Sequence, residues 1–430
     1  MTVQPQAAPP PQWWPAPTPT GPVDAVVSLP GSKSLTNRGL VLAALADGPS
    51  TLVRPLRARD TELMTGALRA LGTQVDDAGT EWQVRPAPLR GPACVDCGLA
   101  GTVMRFAPAV AALADGAVHI DGDPRARARP MGQTIDTLRG LGVSVDDGGR
   151  RALPFTVRGT GAVSGGVVEL DASTSSQFVS ALLLAGPRYR DGVDVRHRGK
   201  PVPSQPHLAM SVSQLRLRGV AVDDSEPNRW VVSPGPIQAL DCVVEPDLSN
   251  AAPFLAAALV TGGRVRVRDW PSHTDQAGDQ LRHLLVAFGA DVVRLESDVV
   301  VTGPRSLDGV SLDLHEVGEL TPVVAALCAL ATAPSQLSGI AHLRGHETDR
   351  LAAVAREVDR LGGAVTEQPD GLRIDPQPLH AGRWHTYDDH RMAHAGAVIG
   401  LVVPGVQVAD VATTGKTFPG FADVWLRAVG

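Results

Sequence analysis

Only three of the 39 basic residues in this 430-residue chain are lysines: Lys33, Lys200 and Lys416. Everywhere else the cation is arginine, so a retained lysine is read either as drift in a composition that favours Arg or as a place where a compact ammonium, or a proton that can be released, has a use. Two of the three stand in segments with the residue types of an anion-handling site, LPGSKSLTNR (29–38) and TTGKTFPGF (413–421). In the first, Gly31, Ser32, Lys33, Ser34 and Arg38 surround one helix start. The glycine lets backbone approach closely, the hydroxyls donate, and two cations face one anion. It is not a Walker A loop, whose spacing and first glycine are missing. RGHETDRL (344–351) sets Glu347 beside His346 and Arg350 at the start of an amphipathic helix, a setting that tunes a carboxylic acid. The plainer reading there is a capping carboxylate with an i,i+3 ion pair. In YDDHRMAHAGAVIG (387–400), Arg391 falls in the first turn of an apolar helix. A cation there opposes the helix dipole and so serves an external anion. Arg38 and Arg105 repeat that placement.

Metal chemistry is not expected. His385, His390 and His394 cluster with Asp388 and Asp389, but His390 and His394 at i,i+4 lack the intervening Glu of a zinc-protease helix. The Cys94–Cys97 CxxC has no second pair to complete a zinc site. There is no GxSxG, dinucleotide-binding or kinase signature, and no cofactor is implied.

The elements that must position these residues repeat along the chain. LRALGTQV (68–75), LRGLGVSV (138–145), LRLRGVAV (215–222), VAFGADVV (286–293) and DRLGGAVT (359–366) each end a helical pattern at Gly and restart as a strand, and LRAVG (426–430) is a sixth copy without its strand. A second series interleaves with it. Polar starts at Ser32–Asn37, Gly101–Thr102, Ser175–Gln177, Ser249–Asn250, Gly318–Thr321 and Asp388–Arg391 precede Ala/Leu/Val-rich runs such as GLVLAALADG (39–48) and TPVVAALCALA (321–331). Runs apolar nearly all round make buried helices. The pattern predicts six units, each with one buried and one surface helix and short strands between, and hence an α/β fold of two similar three-unit domains. If the buried helices are parallel within each half, their N-termini converge on one cleft suited to multiply anionic small molecules. The start at 249–250, with no charged group beside it, reads as a plain cap.

A net charge of −6 argues against nucleic acid or a membrane surface as main partner, and no apolar run approaches a membrane span. Four cysteines are too few for a disulfide framework, so a cytoplasmic enzyme is expected. Residues 1–20 are Pro-rich and are expected to form a disordered tail.

Six segments occur in order over essentially the whole chain: LPGSKSLTNR, GLAGTVMRF (98–106), STSSQFVSALL (173–183), RGHETDRL, DDHRM (388–392) and GKTFPGF (415–421). Together they resemble the 5-enolpyruvylshikimate-3-phosphate synthases of the enolpyruvyl transferase family. The resemblance implies an inside-out α/β barrel in each domain, built from three βαβαββ-type units, with domains at 31–245 and at 21–30 plus 246–430. It implies transfer of enolpyruvate from phosphoenolpyruvate to shikimate 3-phosphate without a metal, and a monomer is expected. By the same resemblance, shikimate 3-phosphate is held by Lys33, Ser34, Arg38, Ser175, Ser176, Gln177 and Ser204, with Glu319, His342 and His346. Phosphoenolpyruvate is held by Lys33, Gly101, Arg129, Gln177, Arg350, Arg391 and Lys416. Glu319 matches the acceptor of the 5-hydroxyl proton, Glu347 the donor to the methylene carbon, and Lys33 touches both ligands. Glu319 stands where many members have Asp, His342 and His346 where many have Asn and Lys, and Leu99 where a polar residue is common. Two other readings are a sister enzyme acting on UDP-N-acetylglucosamine and a non-catalytic anion-binding paralogue. The first carries a reactive Cys in the loop before the Arg129 match, and residues 123–129 contain none.

Overall fold

The computed structural model describes residues 11–430. Its helices are α1 (Lys33–Ala44), α2 (Arg59–Ala70), α3 (Gly101–Ala111), the single turn α4 (Pro124–Arg127), α5 (Gly132–Gly140), α6 (Gln177–Ala185) and α7 (Gln205–Arg216) in the first half. The second half has α8 (Ala252–Thr261), α9 (Leu281–Ala287), α10 (Thr321–Ala329), α11 (Arg350–Arg360), α12 (His390–Gly400) and α13 (Phe421–Val429). Six of them, α1, α3, α6, α8, α10 and α12, are buried over most of their circumference. Their Ala, Leu and Val side chains leave no polar face to turn outward, so the fold encloses them. The alternating set, α2, α5, α7, α9, α11 and α13, buries one stripe each; α11 hides Leu351, Val354 and Val358. Five of the surface helices stop at Gly72, Gly142, Gly219, Gly289 and Gly362, all at positive φ, where a left-handed residue turns the chain back toward a strand.

Helices lie inside and sheets outside. Within each half the three buried helices pack on one another, α1 with α3 and α6, and α8 with α10 and α12. Five four-stranded sheets share one topology, a parallel pair followed by an antiparallel hairpin. In the first, Ser50–Val53 runs parallel to Cys242–Val243 and antiparallel to Glu81–Arg85, which pairs with Gln74–Asp76. Cys242–Val243 comes from the far end of the first half, and Asp24–Val27 joins Arg264–Val267 in the second. One hydrophobic core spans residues 40–244; the other combines 16–27 with 248–429. The two connections between halves run side by side: Ser32 N donates to Glu245 O at 2.7 Å and Asp247 N to Pro30 O at 2.8 Å. Gly31 sits in this crossing, where a Cβ would strike the Arg54 carbonyl.

The expected Pro-rich tail needs correction over residues 11–20; residues 1–10 lie outside the described residues. Trp13–Pro15 is a strand, antiparallel to Gln407–Ala409, which itself runs parallel to Arg383–Trp384. The sixth unit lacks the hairpin of the others, and the chain's start supplies its third strand. Ala16 is buried against Gly400, Thr18 Oγ1 donates to the Gly400 carbonyl at 2.7 Å, and Trp13 packs edge-on to His385. Two tryptophans and an open sheet edge outweigh the proline content.

Candidate active site

All six buried-helix starts line one cleft of about 340 Å³ between the halves: Lys33 of α1, Gly101 of α3 and Gln177 of α6 face Ser249, Glu319 and His390. The last three lie at the entries of α8, α10 and α12. Free N–H groups at each start favour anions there. A larger groove of about 720 Å³ opens beside α7 and α9, but none of the residues singled out from the sequence lines it.

In the first half, Ser32 caps α1, accepting from Leu35 N at 3.4 Å, and Lys33 projects at the helix start. Its Nζ lies 3.3 Å from the fully buried Asp60. Ser34, Ser175, Ser176 and Ser204 also line the cleft. Gly101 is closely packed: a Cβ there would come within 3.2 Å of Arg129 Nη1 and 3.3 Å of Gln177 Oε1, so both side chains would have to give way. Arg105 and Arg129 both reach the cleft, and each leaves a buried Nε without a hydrogen-bond partner. Burial, then the neighbouring charge of Arg129, holds the Arg105 guanidinium well below its ordinary value. Arg38 is not on the cleft surface. It lies behind Ser34, donating to Ser34 O (3.1 Å), Ser211 Oγ (2.8 Å), Ser180 Oγ (3.2 Å) and His207 O (2.9 Å), and burial pushes it down to about 9. Arg38 thus stands beneath the cleft wall, as Lys416 does on the other side, with its donors on protein oxygens.

The second half brings both carboxylates. Glu319 accepts from Ser249 Oγ at 3.3 Å and lies 4.0 Å from His207 Nε2. Glu347 sits between two cations, 2.7 Å from Lys416 Nζ and 3.2 Å from Arg350 Nη2. Burial alone would raise its pKa, but Lys416, Arg350, Arg129 and His390 outweigh it and hold the carboxyl well below the usual range. These cations favour the ionised carboxylate of Glu347, whereas the acid role expected of it needs a proton there. Lys416 is buried behind Glu347 and does not line the cleft. Arg350 makes a bidentate pair with the fully buried Asp389, Nε to Oδ2 at 2.7 Å and Nη2 to Oδ1 at 3.1 Å. Asp389 also caps α12, accepting from Arg391 N at 2.9 Å. Arg391 lines the cleft and donates to Ser249 O at 2.7 Å. His342 and His346 line it too. Burial, then His315, pushes His342 down to about 4, and burial with Arg350 holds His346 well below its usual value, so both are neutral hydrogen-bonding rings at neutral pH.

Three site residues escape the sequence reading. Ser249 was expected to be a plain cap, yet it touches both Arg391 and Glu319. Asp389, inside the DDHRM motif, is weighed in the sequence only as a metal ligand and not as the partner of Arg350. His207 follows Ser204 by three residues, at the start of α7. Among the described residues no group of three or more His, Cys, Asp or Glu side chains is placed to hold a metal ion.

The architecture is that of the enolpyruvyl transferases. Two solved structures share it over 96% of this chain: EPSP synthase from Acinetobacter baumannii (TM-score 0.79, 24% identity, 97% of that chain) and the enolpyruvyl transferase NikO from Streptomyces tendae (TM-score 0.73, 17% identity, 96% of that chain). At those identities the likeness is one of fold. The family model for EPSP synthase (3-phosphoshikimate 1-carboxyvinyltransferase) matches residues 17–425, and the chain belongs to that family. A 3-phosphoshikimate 1-carboxyvinyltransferase of Kocuria rhizophila is 58% identical over 429 residues, covering 97% of this chain and 96% of the relative. No helix among the described residues is long and apolar enough to cross a membrane.

Proposed function

We propose that the chain transfers the enolpyruvyl group of phosphoenolpyruvate to the 5-hydroxyl of shikimate 3-phosphate, releasing phosphate. The observation that carries this reading is one cleft where six helix starts meet, with Lys33, Arg105, Arg129, Arg350 and Arg391 among its cations and Glu319 and Glu347 among its carboxylates. Two anionic substrates need the first set, and an addition–elimination needs the second.

In this reading Lys33, Ser34, Arg38, Ser175, Ser176, Gln177, Ser204, Glu319, His342 and His346 hold shikimate 3-phosphate. Gly101, Arg129, Gln177, Arg350, Arg391 and Lys416 hold phosphoenolpyruvate, and Lys33 lies where the two meet. Binding of phosphoenolpyruvate brings negative charge to Lys416 and Arg350, the cations that keep Glu347 ionised. Their field is then shared with the ligand, the Glu347 pKa rises, and the carboxyl takes up a proton. Glu347 passes that proton to the methylene carbon, C2 gains cationic character, and the 5-oxygen bonds to C2 as its proton goes to Glu319. The tetrahedral intermediate then loses phosphate by C–O cleavage, the departing oxygen taking the proton from Glu319, while the methyl group returns one proton to Glu347, leaving the enol ether.

The same reading makes the protein a cytoplasmic monomer whose chain divides between residues 30 and 31 and between 245 and 246. The test is phosphate release with both substrates present. Release with shikimate 3-phosphate supports the assignment; release only with UDP-N-acetylglucosamine makes it the sister enzyme, and none with either makes it a binding paralogue.

A further inference from the structure

Arg125 belongs to α4 in the first half, yet its guanidinium is spent on the second. Nη1 donates to the Tyr387 carbonyl at 2.9 Å and to the Asp388 carboxylate, and Nη2 donates to the Glu347 carbonyl at 2.9 Å. These acceptors lie on two separate segments, one carrying Glu347 and the other leading into Asp389 and Arg391. Tyr387 and Asp388 both have left-handed backbone, φ 55° and 54°, a conformation non-glycine residues seldom adopt and one that needs outside support to persist. The ion pair itself is exposed, with 43% and 64% of the two side chains accessible, and pairs of that kind contribute little. What sets Arg125 apart is the planar fork that reaches two carbonyls on different segments at once.

The cleft's other edge has a second bridge of the same kind. Ser204 N donates to His315 O at 3.1 Å, and Gln205 N donates to Glu316 Oε2 at 2.7 Å. Ser204 too is left-handed, at φ 56°. There the contacts join the two halves without touching a reacting group. Arg125 instead grips the backbone of Glu347 itself, and the residue next to its Asp388 contact, Asp389, is the one that orients Arg350.

We propose that Arg125 is a positioning residue. It registers the Glu347 backbone and the 387–389 turn against the ligands held by the first half, and it does so only when the two halves are together. The inference rests on Glu347 being the proton donor of the proposed reaction.

The experiment compares Arg125→Ala, Arg125→Lys and Asp388→Asn with the wild type, measuring turnover and shikimate 3-phosphate affinity separately. The alanine variant is expected to lose about 10²-fold in kcat, the scale of a small misplacement of a reacting group, while its shikimate 3-phosphate Kd stays within about twofold of wild type, a residue in mere structural support moving both. Lysine, which lacks the two-pronged fork, is expected to recover only part of the rate. Asp388→Asn, which keeps both carbonyl contacts, is expected to lose less than about threefold. Wild-type kcat in the alanine variant, or affinity falling in step with rate, overturns the proposal. Should the alanine variant fail to fold, the lysine variant decides: a kcat drop of about fivefold or more at unchanged Kd supports the latch, and full activity overturns it. Absence of turnover in the wild type with shikimate 3-phosphate would instead overturn the functional reading on which the latch depends.

Discussion

The two halves are built from the same unit, and each aims three buried helix starts at the cleft, but they hold their cations differently. In the first half two arginines are bare: Arg105 lies against Met104 and Phe178 and Arg129 reaches Met104, while Lys33 alone pairs with a carboxylate at the cleft, Asp60. In the second half two cations are tied. Arg350 is committed to Asp389 and Glu347, and Lys416 to Glu347. A bare buried cation raises the energy of the empty state and gives that energy back when an anion arrives. A paired one is satisfied already, and an incoming anion must compete with Glu347 for it. The first half is thus an anion receptor, and the second an acid–base device that ligand charge switches on.

The largest expected effect breaks the device alone. Glu347→Gln keeps shape and hydrogen bonding but removes the exchangeable proton, so turnover should fall about 10²–10⁴-fold with shikimate 3-phosphate affinity nearly unchanged. Steady-state rates together with a binding titration check this, and near-wild-type turnover would return Glu347 to the role of a helix-start carboxylate. Next comes a contrast in stability. Arg350→Met leaves Asp389 and Glu347 buried without their shared partner and should cost about 3–5 kcal/mol. Arg105→Met removes a buried charge that has no partner to orphan, so the empty protein should be no less stable, while phosphoenolpyruvate affinity falls. Denaturant unfolding of both variants measures the difference. Equal destabilisation would erase the distinction between bare and tied cations.

The repeat that builds this comparison is legible in the sequence, and the pairing that gives it meaning is not. Gly72, Gly142, Gly219, Gly289 and Gly362 each follow an apolar helical stripe, so a local window finds every surface-helix end. The six polar starts are local too. Charge pairing is set by packing between units: Arg350 meets Asp389 across 39 residues, Lys416 meets Glu347 across 69, and Arg391 meets Ser249 across 142. That is why the start at 249–250 looks uncharged in the sequence and is surrounded by charge in the fold. Arg38 is a further case. Its motif marks an anion site locally, while the groups that take its donors, Ser180, Ser211 and the His207 carbonyl, come from 142 to 173 residues away. The proline-rich start misleads because composition reports what a segment could do alone, not that an unpaired strand at Gln407–Ala409 awaits it.

Acid should separate the halves by a smaller margin. Burial lowers the pKa of His207 in the first half and of His342, His346, His390 and His394 in the second. For His342 the folded value is about 4 against an ordinary 6.5. Between those values the unfolded chain binds a proton that the folded one refuses, so stability falls as pH drops from about 6.5 toward 4 and then levels off. Glu347, with a depressed folded value, adds stability above its ordinary range that is lost further down in pH. With most of these groups in the second half, amide exchange at pH 5 should loosen residues 248–429 before 40–244. His342→Asn should remove part of that slope; a variant with the wild-type slope would show that His342 is not among its sources.

The smallest effect tests whether the N-terminal strand belongs to the second half energetically as well as in space. Trp13 packs edge-on to His385 at 5.1 Å between ring centroids, and the Arg383 guanidinium lies 4.8 Å above its ring. Each contact is worth roughly 0.5–1 kcal/mol at a half-buried site, so Trp13→Ala should cost about 1 kcal/mol. The loss should fall on one half. His385 leads directly into the Thr386–Asp389 turn, so exchange should rise there and along Gln407–Ala409, while the core at 40–244 keeps its protection. Turnover at room temperature should stay within about twofold, because none of the cleft residues touches Trp13. Uniform loosening of both halves would mean that they unfold as one cooperative unit, and that their difference is confined to charge.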